Sequence, residues 1–144
     1  MVLSVTRLHI RALRFLPSFF VAALRSTFQA QRAAGCLGGM TGNESLKGYW
    51  TVTGWETVKA MHAFRNSGPH MRAMRRLLEW CDEASFARWE EDEGRLPDAV
   101  EAHRQMSAIG HTSKVAHPSD RHSAGICVGT GLPRFGYRFK RRTP

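Results

Sequence analysis

Of the residue types that can move protons near neutral pH, one histidine stands in the setting most like a site. His70 follows Ser67-Gly68-Pro69, where a break is followed by Pro at a first helical position, and it begins a helical stripe that includes Met71 and Met74. An imidazole at the mouth of an apolar stripe can act as a base or ligate a metal or haem iron. The competing reading is a first-turn His that packs or caps a loop. Trp55 and Phe64 lie just upstream and suit an aromatic wall for a flat apolar molecule, against the plain alternative of core. Trp50 and Trp80 carry the same two readings. His9 stands between Arg7 and Arg11 on one face of a strand, a place for anion or substrate binding or for an interface. His62 reads as a partly buried structural histidine.

Other constellations point away from chemistry. His111, His117 and His122 with Asp120 form a His-rich loop, but their spacing matches no compact helical zinc motif, and no metal is expected. Cys36, Cys81 and Cys127 are odd in number and lack C-x-x-C spacing. That argues against a disulfide framework and fits a reducing cytoplasm. Gly35, Gly38, Gly39 and Gly42 precede no helix, so a Rossmann phosphate turn is excluded. No G-x-S-x-G elbow is present.

The elements that must position these residues follow from periodicity. Val5–Leu13 alternates, with Val5, Arg7, His9 and Arg11 on one side and Thr6, Leu8 and Ile10 on the other. A helix is expected over 19–32, capped by Ser18, with Phe20, Ala23, Leu24, Thr27, Phe28 and Gln31 packed on a sheet; Gly35 ends it. A Gly-rich strand, 36–41, and a Tyr-Trp-Thr-Val strand, 46–53, form a hairpin. A helix over 56–64 and a second over 70–81 follow. Next come a turn at 82–84 and a short strand at 85–89. Asp98 caps a helix over 99–106.

This β-α-β-β-α-β order is the ferredoxin-like pattern of an α+β domain. Its helices lie on one face, and the other face needs water or a partner; a symmetric dimer of stacked sheets meets that need. The expected organisation is a domain over 1–92, a short helical extension over 93–110, and a polar, basic segment over 111–144 that is an extended arm or a disordered tail.

The chain has 144 residues, 42% hydrophobic and 23% charged, enough apolar material for one core. Its formal charge is +9, with no acid before Glu44 and a basic C-terminus from Arg134 to Arg142. Such ends can dock on phosphates, nucleic acid or an acidic partner, or serve only solubility. The apolar stretch 15–24 resembles a targeting leader, but Pro17 and Ser18 interrupt it, Arg25 follows it, and it is too short to span a membrane.

The run Tyr49-Trp50-Thr51-Val52-Thr53-Gly54-Trp55-Glu56, with Met61-His62-Ala63-Phe64 and Ser67-Gly68-Pro69-His70, resembles the antibiotic-biosynthesis-monooxygenase-like superfamily of dimeric α+β barrels. Residues 4–90 look most similar to its spheroidene-monooxygenase-like branch and to related families of unknown function. Ser113-Lys114-Val115-Ala116-His117-Pro118-Ser119 looks like a tail motif of that uncharacterised branch. The resemblance implies a homodimer with a pocket between sheet and helices in each subunit. It implies oxygenation of a small aromatic or isoprenoid-like apolar substrate by molecular oxygen, with haem or with no cofactor. His70 would be the catalytic residue, and Trp55, Phe64, His9 and Met74 would line the pocket. In haem-degrading relatives the ligand His falls near the place where this chain has Met74, so that ligand does not carry over. The alternative is a non-catalytic small-ligand-binding dimer whose basic tail contacts an acidic partner.

Overall fold

The computed structural model describes residues 1–141. The chain runs through strand β1 (Val2–Ile10), helix α1 (Leu16–Arg32), strands β2 (Cys36–Asn43) and β3 (Gly48–Trp55), helices α2 (Val58–Arg65) and α3 (Gly68–Trp80), and strand β4 (Cys81–Glu90). Helix α4 (Ala99–Ile109), the two-residue strand β5 (His111–Thr112), the single turn α5 (Asp120–Ser123) and strand β6 (Arg134–Lys140) complete it. The six strands form one sheet in the order β5-β4-β1-β3-β2-β6, with every neighbouring pair antiparallel. The inner order β4-β1-β3-β2 is the ferredoxin-like arrangement expected from the sequence. No helix among the described residues is long and apolar enough to cross a membrane.

Local chemistry sets several boundaries. Helix α1 starts earlier than the sequence suggests: Phe15 is its N-cap and Ser18 lies inside the first turn, because Pro17 needs no N–H partner there. Gly35, at φ 79°, turns the chain from α1 into β2, a conformation that disfavours a side chain. Thr57 and Asp98 cap α2 and α4 by accepting from the N–H groups of Ala60 and Glu101.

The expected turn at 82–84 is strand. Cys81 follows Trp80 directly, and Glu83 and Ala84 pair with His9 and Leu8. The sequence hides this because Glu83 is a poor strand residue until Arg7 neutralises it.

Half of the stripe expected on α1 is displaced, while Ala23 and Thr27 line the sheet side and Gln31 is buried as expected. Phe20, Leu24 and Phe28 are 48%, 56% and 45% exposed, while Phe19, Ala22, Ala23, Ser26, Thr27 and Ala30 face the sheet side. Both sides of this helix are apolar, so periodicity alone does not select the inner one.

The second sheet face is not bare. Leu3, Val5, Met40, Trp50 and Val52 form a core with Ala102 and Met106 of α4 and with Cys127. The chain itself packs α4 and the segment around Cys127 on this face. Arg7, His9 and Arg11, expected to meet water or a partner, each engage an acid of the same chain. Arg7 is 3% exposed and bridges Glu44 and Glu83, the latter at 3.0 Å. His9 pairs with Asp82 at 2.6 Å, and Arg11 with Glu79. Trp50 Nε1 donates to Glu44 at 3.1 Å and Ser119 Oγ to Glu83 at 3.1 Å.

The segment expected as an arm or tail is irregular between short elements but ends as β6, paired along β2. Glycines make this possible. A Cβ on Gly39 would meet Phe139 Cζ at 2.5 Å, and one on Gly42 would strike the Arg134 carbonyl. The positions that weaken β2 as a strand let a second strand dock on it. Residues 142–144 of the expected tail lie outside the described residues.

Candidate active site

Between the sheet and helices α1, α2 and α3 lies a cavity of about 560 Å³, within the size of a small-ligand site. Its floor is built by cross-strand rows. Arg88, Ser4, Thr53, Gly39 and Phe139 lie side by side across β4, β1, β3, β2 and β6. The next row holds Phe86, Thr6, Thr51 and Thr41. Successive strand side chains alternate between faces, so the large residues Leu3, Val5, Trp50 and Val52 fill the far face. Small hydroxyl residues are left under the helices. They do not reach α1 and α3, whose inner faces are also small, and the unfilled space is the cavity.

At one end, the rings of Trp55, Phe64 and His70 pack in sequence, each tilted against the next. Ring centroids are 5.0 Å apart for Trp55–Phe64 and 4.6 Å for Phe64–His70. Trp55 is fully buried and donates through Nε1 to Thr53 Oγ1 at 2.9 Å. His70 Nδ1 lies 3.2 Å from the Arg65 carbonyl oxygen, which only accepts, so Nδ1 carries the proton and Nε2 keeps its lone pair. Nε2 has no hydrogen-bond partner among the described residues. Burial pushes the His70 pKa down and the nearby Arg65 charge adds to this, against the opposing pull of the Arg65 carbonyl; the ring is neutral at pH 7.

Gln29, on α1, holds this end in place. Its side-chain oxygen accepts from the His70 backbone N–H at 2.8 Å, and its amide donates to the carbonyls of Ser67 at 2.8 Å and Phe64 at 3.2 Å. The restart of α3, which the sequence marks with Ser-Gly-Pro, is thereby fixed to α1.

The structure brings together four of the five expected site residues, His70, Trp55, Phe64 and Met74, around this cavity. It places His9 elsewhere. Odd-numbered positions of β1 point to the far face, and His9 turns to Asp82 there. Sequence reasoning passed over Gln29, Arg88 and the hydroxyl floor. The last had a visible signal, since Ser4 and Thr6 alternate with Leu3 and Val5, and Thr51 and Thr53 repeat the spacing. Arg88 and Gln29 had none, because their roles depend on neighbours far along the chain. His111, His117 and His122 go to separate partners: the Phe86 ring, Glu79, and the Ala84 N–H.

Solved structures share this architecture. A putative antibiotic biosynthesis monooxygenase from Nitrosomonas europaea matches with a TM-score of 0.55 and 12% identity, over 63% of this chain and 98% of its own. A conserved protein from Methanosarcina mazei matches with a TM-score of 0.57 and 12% identity, over 63% and 92%. A variant of SnoaB, a cofactor-independent oxygenase from Streptomyces nogalater, matches with a TM-score of 0.54 and 14% identity, over 67% and 97%. At such identities the likeness is one of fold. No curated protein matches the sequence. A family model described as a domain of unknown function, DUF3291, matches residues 20–117. The chain therefore belongs to the DUF3291 family, on the fold of the antibiotic-biosynthesis-monooxygenase-like proteins.

Proposed function

We propose that the protein oxygenates a small, flat, electron-rich aromatic molecule with molecular oxygen, inside the cavity between sheet and helices. The observation that carries this reading is the neutral His70, its lone-pair nitrogen unpartnered, at the aromatic end of that cavity. The fold shared with a cofactor-independent oxygenase supports it.

Trp55 and Phe64 form the wall against which a ring lies. His70 Nε2 accepts the phenolic proton, and the electron-rich anion can then pass electrons to oxygen. For a phenol with a free para position, one substrate and one O2 give one quinone and one water. One oxygen atom enters the ring as the new carbonyl. The other leaves as water with the ring and hydroxyl protons, and the substrate itself supplies all four electrons. The residues also suit haem. A His that donates Nδ1–H to a backbone carbonyl is oriented as iron-ligating histidines are. His70 would hold the iron, and haem would supply iron-centred activation of oxygen.

The test is oxygen uptake and incorporation of labelled oxygen on a panel of phenols and quinols, together with the absorption spectrum of the purified protein. His70→Ala should lower kcat by about 10²–10⁴-fold while substrate binding persists. A Soret band lost in that variant assigns the haem form. A colourless protein without oxygen uptake on the panel leaves the cavity as a ligand-binding site and removes catalysis.

A further inference from the structure

The charge of the cavity wall is one-sided. Arg65, Arg75, Arg88 and Lys114 line it, and no Asp or Glu does. None of the four is in an ion pair among the described residues, whereas Arg7, Arg11, Arg95, Arg104 and Arg121 all are.

Arg88 is the sharpest case. Its Nε is buried and has no hydrogen-bond partner among the described residues. Its Nη1 lies 3.3 Å from His62 Nε2, and an imidazole carries no negative charge, so this contact leaves the positive charge unbalanced. The Nε–Nη2 edge remains, two parallel N–H donors on the floor row shared with Ser4 and Thr53. An N–H donor withdrawn from water without a partner is costly, and a carboxylate supplies two oxygens at the spacing of the Nε–Nη2 edge.

We propose that the ligand of this cavity is an aromatic carboxylate, with its ring against Trp55 and Phe64 and its carboxylate paired with the free edge of Arg88. Arg65 at the wall and the exposed Arg75 and Lys114 draw the anion in. The proposal rests on the cavity being the substrate site, and it narrows the substrate to a ring that carries an acid group.

The probes are naphthalene-2-carboxylate and its neutral, near-isosteric counterpart naphthalene-2-carboxamide, titrated by calorimetry into the full-length protein at low salt. The carboxylate is expected to bind about tenfold tighter or more, the usual return of a hydrogen bond to a charged group. Arg88→Gln should abolish that preference while leaving the carboxamide affinity unchanged, which also reports an intact cavity. Arg88→Lys, which keeps the charge but loses the fork, should retain part of the preference. Arg72→Gln, on the exposed side of α3, should retain all of it. Equal affinities for the two probes, or a preference that survives Arg88→Gln, would overturn the anion site and leave the cavity as the substrate site. No binding of either probe would overturn both.

Discussion

Two side chains show how burial sets charge. At His70, the unfolded chain titrates near a pKa of about 6.5, and burial holds the folded group below that. If His70 is the base, the acid limb of kcat/KM should fall below about pH 6.5 and vanish in His70→Ala; a limb above that value would exclude it. The same shift makes folding lose stability as pH drops through about 6.5, levelling off below the folded pKa. Glu83 is the opposite kind of group. Burial alone would raise its pKa, but Arg7 and the Ser119 hydroxyl outweigh burial and hold it below the usual range. Its stabilisation is present above the unfolded value of about 4.3 and is lost as pH falls through the lowered one. Removing Arg7 leaves the buried Glu44 carboxylate without a cation and Glu83 with only the longer Arg121 contact at 3.4 Å, so Arg7→Ala should cost about 3–5 kcal/mol in chemical denaturation at pH 7. The triple change Arg7→Met, Glu44→Gln, Glu83→Gln should recover much of that loss. An unchanged Arg7→Ala midpoint would show that the network is not closed.

At the scale of elements, β6 and β2 depend on each other. Phe139 is 7% exposed and packs with Trp55, Met61 and Cys36 while its ring lies over Gly39. It is also part of the cavity wall. Phe139→Ala should therefore lower stability by about 3–5 kcal/mol and weaken ligand binding together. Gly39→Val should do the same from the other side, since its side chain takes the space of that ring. A melting temperature unchanged in both variants would mean that β6 does not dock.

At the scale of the molecule, the sheet is covered on both faces by one chain. α1, α2 and α3 roof the cavity, and α4 closes the far face through Ala102 and Met106, both fully buried. Met106→Ala should cost about 2–5 kcal/mol, measured by denaturant unfolding. Stability independent of that residue would mean that something other than α4, such as a second copy, covers the sheet. The solved structures of this fold match 63% to 67% of the chain, so about a third of it is additional to what they share.

The strand–helix order was legible along the sequence because alternation and helical spacing are local: Tyr49 to Val52 could hardly be anything but strand, and Ser67-Gly68-Pro69 had to restart a helix. Trp55, Phe64 and His70 lie within sixteen positions on consecutive elements, and local reasoning could group them. What it could not reach depends on register and on partners distant in the chain. Arg7 finds Glu83 76 positions away, Gln29 finds His70 41 positions away, and Phe139 meets Gly39 across a strand pair. The sequence by itself determined the order of elements from β1 to β4 and the presence of α4, but not β6, whose pairing depends on the glycines of β2. Only tertiary packing decided which face of each is inside, because both faces of this sheet and both sides of α1 are apolar enough to be buried, and only the pairing of strands chooses between them.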